Sequence, residues 1–116
     1  MTQMLQAADE TEALEMLHNQ GLTDGLPVVI PTAERVDRLV LATGLQGAQV
    51  LGEMGPGGGA ATVEKIAISA VMAGCLPDHM PVVLAAINAI LQPEFDLTEM
   101  QATTHCTAPL IIVNGP

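Results

Sequence analysis

The feature that most constrains this sequence is a pair of neighbouring segments that are apolar almost all round. Residues Ala61–Ala73 carry charge only at Glu64 and Lys65, and residues Val82–Leu91 carry none. A helix with apolar side chains on every side must be buried on most of its faces. Because the connection through Gly74 is short, we expect the two helices to pack antiparallel as a hairpin at the centre of the fold.

Two further helices are predicted before this pair. Asp9 followed by Glu12 has the spacing of a capping box, which predicts a helix over Glu10–Asn19. Thr32 can cap a second helix over Ala33–Thr43, where apolar side chains recur at the spacing of one helix face. A glycine closely follows each of these segments, as expected for a helix end.

Three short apolar segments predict strands. They are Val28–Ile30, Gln49–Met54 and Leu110–Val113. The last has no polar alternation, which is typical of a strand buried on both faces of a sheet. We therefore predict an α/β fold with three short strands and about four helices. The strands are expected near Val28, Val50 and Ile111.

The sequence also predicts a fold that is not stable on its own. Its 116 residues are enough for one domain, 1–116, but they include no Trp, no Tyr and a single Phe, so the core must be aliphatic. A central type of strand directly before Asn114-Gly115-Pro116 is typical of a fold that continues. We expect the N-terminal part of a longer protein or a small subunit, stabilised by further sequence or by a partner subunit.

The charge balance excludes several classes of partner. Thirteen acidic residues face three basic ones, Arg35, Arg38 and Lys65, for a net charge of −10. Such a chain has no basic surface for phosphate backbones or anionic lipids, so we expect neither nucleic acid nor membrane as a partner. The N-terminus lacks the basic start and apolar run of a signal peptide, which favours the cytoplasm. In that compartment Cys75 and Cys106 are expected to be free thiols.

A glycine-rich loop, Gly55–Ala60, is the sharpest local motif. It follows a predicted strand and precedes an apolar helix, where glycine backbone and unpaired helix amides can approach an anion. We predict that this loop binds a small anionic molecule. The predicted ligand-binding residues are Gly57, Gly58, Gly59, Ala60 and Thr62.

Alternatives remain open for this loop and for the nearby charges. A purely structural turn would have the same glycines. A dinucleotide site is disfavoured because no second strand with an acidic residue follows the helix. Arg35 and Arg38 either pair locally with Glu34 and Asp37 or form a clamp for an anion. No particular cofactor is indicated.

The candidate catalytic residues are Cys106, His105 and Glu53. Cys106 and His105 lie in a polar segment directly before a predicted strand, and a cysteine beside a histidine can act as a nucleophile or redox centre. Glu53 precedes the glycine-rich loop and is the best candidate for a general base. A metal site formed with Cys75 and His79 is a weaker alternative, because adjacent His and Cys side chains rarely point at one metal.

Two functional hypotheses follow from these residues. The first is a component of a cytoplasmic enzyme that binds a small anion at the glycine-rich loop and uses thiol or redox chemistry. The second is a non-catalytic assembly module, in which the loop is a turn and the apolar helices form an interface. In either case we expect a homo-oligomer or a partner subunit.

The sequence resembles a family of bacterial proteins of unassigned chemistry over residues 22–116. The shared motifs are DGLPVV (24–29), PT (31–32), GGAATVEK (58–65), VMAGC (71–75), PVVLAA (81–86), QATTH (101–105) and IVNGP (112–116). The resemblance implies a chain longer than this one. It also implies an association with redox-type proteins that carry cysteine or selenocysteine in a short Gly-Ser-Cys-like motif. It implies no particular substrate or catalytic residue.

Overall fold

The computed structural model describes residues 4–115 and combines helices with one small sheet. Five α-helices and two strands form within this range, together with short 3-10 turns at Pro77–His79 and Pro93–Phe95. The elements in chain order are α1 (Glu10–Asn19), α2 (Ala33–Thr43), β1 (Val50–Met54), β2 (Gly59–Thr62), α3 (Val63–Met72), α4 (Met80–Ile90) and α5 (Leu97–Ala102).

Local capping explains the bounds of the first two helices. The Asp9 carboxylate accepts a 2.9 Å hydrogen bond from the Glu12 amide at the start of α1. The Thr32 hydroxyl accepts one from the Arg35 amide at the start of α2. Gly44 ends α2 in the left-handed conformation, with φ 67°. Both helices therefore have the predicted bounds, and the mixed helix and strand content is confirmed.

The two strands form an antiparallel hairpin. Glu53 lies opposite Ala60 and Met54 opposite Gly59, with an irregularity in the register between Val50 and Gly52. The glycine-rich loop is therefore the turn of a hairpin and not a strand-to-helix connection. Because its second half pairs as β2, the following helix begins at Val63, two residues later than predicted.

Two of the three predicted strands are wrong. Val28–Ile30 has no strand partner among the described residues, and its Val29 amide is held by a single 3.1 Å hydrogen bond to the carbonyl of Met72. Leu110–Val113 is also not a strand, and its side chains are 55–83% exposed. An apolar segment can form a buried strand only where neighbouring strands offer backbone partners, and the small hairpin offers none here.

The core lies between α2, β2, α3 and α4. Helix α3 supplies most of it, with Val63 and Ala67 fully buried, and α2 contributes Val36 and Leu39. The fully buried Met80 at the start of α4 joins the same cluster. The core is aliphatic, as the composition predicts.

Helix α4 departs from the prediction that both apolar helices are buried on most sides. Met80 is its only buried residue, and Val82 is 45% exposed. Within residues 4–115, no single helix is long and apolar enough to cross a membrane. The segments Pro77–Ile90 and Pro93–Ala102 reach that length and composition only as a pair bent by 69°.

Candidate functional site

The glycine-rich turn lies at the exposed tip of the hairpin. Gly57, Gly58 and Gly59 are exposed, and a Cβ atom built on any of them meets no atom within 4 Å. Neither of the two cavities described below includes these glycines. Gly55 differs, because a Cβ there would overlap the Thr98 hydroxyl and lie 3.0 Å from the Thr98 Cα. This glycine permits close packing between the hairpin and α5.

The first amides of α3 are occupied by the protein itself. The Val63 amide donates to the Gln49 carbonyl at 3.0 Å, and the Glu64 amide donates to the Gly47 carbonyl at 2.9 Å. The Lys65 amide donates to the Thr62 hydroxyl at 3.2 Å. An anion at this helix start would have to displace these acceptors, so the geometry gives no support to the predicted site at this point.

The other two predicted ligand residues also bond within the chain. The Ala60 carbonyl accepts from the Lys65 ammonium at 3.3 Å, and the Thr62 hydroxyl is the cap of α3. These roles are structural ones, and they account for a threonine at the end of β2. Ligand binding by Ala60 and Thr62 stays a prediction without a geometric argument.

Glu53 lies at a cavity of about 150 Å³ between the hairpin and the α4–α5 connection. Asp96, Thr98 and Gln92 also line it. The Asp96 carboxylate is the cap of α5, where it accepts from the Glu99 amide at 3.4 Å. Two carboxylates at one small cavity disfavour an anionic ligand there.

His105 and Cys106 lie elsewhere, in the exposed segment after α5. The Thr107 hydroxyl donates to the Met100 carbonyl at 2.8 Å and holds this segment against the end of α5. Neither His105 nor Cys106 lines the cavity at Glu53. The structure therefore does not bring the three predicted catalytic residues into one cavity.

The weaker metal alternative has no geometric support. Among the described residues, no group of three or more His, Cys, Asp or Glu side chains is arranged to hold a metal ion. The Nδ1 atom of His79 accepts from the Leu76 amide at 3.1 Å, which fixes the ring as part of a local turn.

A second cavity, of about 210 Å³, lies between α2 and the connection that follows α3. We call it the arginine cavity, because Arg35 and Arg38 line it. Cys75, a free cysteine, is one of its lining residues as well. Its remaining lining residues are Val29, Leu39, Val71, Gly74, Leu76 and Pro77.

Part of the signal for this cavity is present in the sequence. Arg35 and Arg38 lie one turn apart on α2, which is the spacing of an anion clamp. Cys75 is partly buried and packs against the hydrophobic core. Nothing in the sequence indicates that residues 35 and 75 come together, because tertiary packing alone brings α2 and the end of α3 to one surface.

Comparisons with known proteins give no match. No protein-family model matches the chain, and no curated protein or solved structure shows significant similarity to it. The resemblance to a bacterial family therefore stays a hypothesis that rests on the motifs alone.

Proposed function

We propose that this protein is an assembly module, in which a second copy of the chain covers the exposed apolar side of α4. This side, the α4 face, consists of Pro81, Val82, Ala85 and Ala89, all of which are exposed. The observation that carries the proposal is the exposure of a helix that has no charged residue from Met80 to Ile90.

The size and pattern of the α4 face support pairing between two copies. Pro81, Ala85 and Ala89 recur four apart, and Val82 lies three residues before Ala85, so the four residues form one stripe along the helix. The side chains of Ala85 and Ala89 are small, which allows a second helix to approach closely. Because the face carries no charge, two chains of net charge −10 can meet along it without opposing like charges. Most soluble homo-oligomers use such an isologous contact.

The exposed surface of the single chain also supports assembly. Its accessible area is 8182 Å², whereas a folded monomer of 12.0 kDa is expected to expose about 6000 Å². Its radius of gyration is 15.1 Å against about 13.4 Å expected for this length. The exposed apolar segment Leu110–Val113 adds to this excess. A chain with exposed apolar side chains gains stability when protein covers them.

The enzyme hypothesis has weaker support. It requires Glu53 to act with His105 and Cys106, and these residues do not share a cavity. It also requires an anion at a helix start whose amides are already bonded. Assembly requires neither condition, so we favour it.

Size-exclusion chromatography with light scattering tests the proposal. We expect the wild-type chain to be a dimer at micromolar concentration. Val82→Glu should raise the dissociation constant about a hundredfold or more, because an unpaired charge buried in an interface costs about 3 kcal/mol or more. The matched control is Leu41→Glu, since Leu41 is a 78% exposed apolar residue on α2.

The control should leave the dimer intact, and circular dichroism should show that both variants are folded. A wild-type chain that stays monomeric across this range overturns the proposal. So does a Val82→Glu variant that dimerises as tightly as the wild type.

A further inference from the structure

We propose that the arginine cavity binds a small organic carboxylate with an apolar body. This inference is independent of dimer formation through α4, because none of the residues that line the cavity belongs to the α4 face. The argument uses the charge of the lining residues, the partners of the two arginines and the character of the remaining wall.

The residues that line the arginine cavity carry net positive charge. Two of the three basic residues of the chain line this cavity, whereas its lining residues include no Asp or Glu. In a chain of net charge −10, most of the surface repels an anion. Of the two cavities described above, the arginine cavity is therefore the one that favours an anion.

Arg35 is held in place by two contacts. One terminal nitrogen donates to the Ile30 carbonyl at 3.0 Å, and the other pairs with the Glu10 carboxylate at 3.0 Å. A guanidinium has more donors than these two contacts use, so a further acceptor can still bind. The contacts orient the group before a ligand arrives, which lowers the entropic cost of binding.

Arg38 provides the second half of the clamp. Within residues 4–115 it has no hydrogen-bond or ion-pair partner, and it is exposed. It lies three residues after Arg35 on α2, so both side chains extend from the same side of the helix. A carboxylate offers two oxygens in the plane that guanidinium groups bind best.

The other residues that line the cavity favour a ligand with an apolar body. Val29, Leu39 and Val71 are apolar, as are Leu76 and Pro77 on the connecting segment. An apolar cavity of about 150 Å³ holds a molecule the size of benzene, and this cavity measures about 210 Å³. A ring or short chain attached to a carboxylate fits both the size and the chemistry better than inorganic phosphate, which would leave the apolar wall uncovered.

Cys75 allows ligand binding in the arginine cavity to be measured. It is a free cysteine among the residues that line the cavity, whereas the free cysteine Cys106 lies in the exposed segment after α5. A bound ligand should cover Cys75 and leave Cys106 unaffected. The two cysteines therefore serve as reporter and internal control in one chain, and the ligand takes no covalent part.

The experiment measures alkylation of each cysteine by iodoacetamide, followed by mass spectrometry. Benzoate at about 10 mM, well above an expected Kd of about 1 mM, should slow alkylation of Cys75 about fivefold or more and leave Cys106 unchanged. Benzyl alcohol and inorganic phosphate should protect Cys75 weakly. Equal rates with and without benzoate overturn the proposal. Equal protection by phosphate also overturns it, because the apolar body would then be irrelevant.

Three variants test the clamp. Arg38→Gln should raise the dissociation constant of benzoate about tenfold, as expected for loss of a charged hydrogen bond, so that about 10 mM benzoate slows alkylation of Cys75 only about twofold. Lys65→Gln is the matched control, since it removes the same charge away from the cavity and should change nothing. Glu10→Gln should strengthen binding a few-fold, because the Gln amide oxygen can still accept the hydrogen bond that orients Arg35 while the competing negative charge is removed.

If Arg38→Gln and Lys65→Gln weaken protection equally, benzoate responds to net charge alone and the proposed site is wrong. Full protection in Arg38→Gln has the same consequence. Light scattering on the same samples reports the dimer separately, so failure of this inference and failure of the assembly proposal are distinguishable.

Discussion

Helices α3 and α4 have similar apolar compositions and lie on either side of one short connection, but they are buried to very different extents. Helix α3 buries five residues, namely Val63, Ile66, Ala67, Ala70 and Val71. Helix α4 buries only Met80. The difference comes from their neighbours: α3 packs against α2 and continues directly from β2, whereas α4 contacts α2 and α3 on one side. An apolar sequence indicates that a helix needs cover, but it does not indicate whether the same chain supplies it.

The same substitution in both helices gives the largest expected contrast. Ala67→Asp places an unpaired carboxylate at a fully buried position of α3, and we expect a loss of about 4 kcal/mol or more in the free energy of unfolding. Urea denaturation followed by circular dichroism measures it. A loss of this size removes much of the stability of a small domain, so the variant should be largely unfolded.

Ala85→Asp on the exposed side of α4 is the matched variant. At the lowest protein concentration, where association is weakest, we expect a loss of about 0.5 kcal/mol from the lower helix propensity of Asp. Equal losses for the two substitutions would show that α4 is as deeply covered as α3. The contrast between the helices would then be wrong.

A smaller effect tests how the α4–α5 half of the molecule is attached to the hairpin. Gly55→Ala pushes a methyl group against Thr98 on α5, and we expect a loss of about 1–3 kcal/mol in unfolding free energy. Gly57→Ala, two residues along the same turn, meets no atom within 4 Å and should change stability by less than about 0.5 kcal/mol. Thermal or urea denaturation measures both. Similar values for the two variants would contradict the close packing of α5 on Gly55.

The smallest expected effect concerns the segment that the sequence predicts as a buried strand. Ile112 is 74% exposed, so Ile112→Thr should change the free energy of unfolding by less than about 0.5 kcal/mol. In a strand buried on both faces, the new hydroxyl would cost about 1–3 kcal/mol. A loss in that range, measured by urea denaturation of the monomer, would show that this segment is a buried strand. The segment would then not belong to the exposed apolar surface.

The sequence predicts the fold best where the deciding interactions are local. Asp9 and Thr32 cap helices through amides three residues away, and both helices begin where predicted. The strands are predicted poorly, because pairing depends on segments distant in sequence. The β2 strand forms from residues that the local pattern assigns to a loop and a helix, since β1 offers them backbone partners.

The candidate sites show the same contrast between local interactions, which the sequence predicts, and long-range ones, which it does not. The predicted anion site depends on free amides at the start of α3, and the Gly47 and Gln49 carbonyls, contributed by the segment before β1, occupy them. The spacing of Arg35 and Arg38 predicts the two basic residues of the arginine cavity. The sequence does not predict that Cys75 lines the same cavity, because only the packing of α2 beside the end of α3 brings Cys75 close to the two arginines.

By itself, the sequence determined the helix starts at Glu10 and Ala33, the aliphatic character of the core and the strongly acidic surface. Each depends on neighbouring residues or on composition. Only the tertiary structure decided which apolar segments are covered, that the glycine-rich loop turns a hairpin, and that two arginines meet a cysteine 40 and 37 residues away. The physical reason is that burial and backbone pairing require surfaces from distant parts of the chain, and a local pattern cannot specify which distant part arrives.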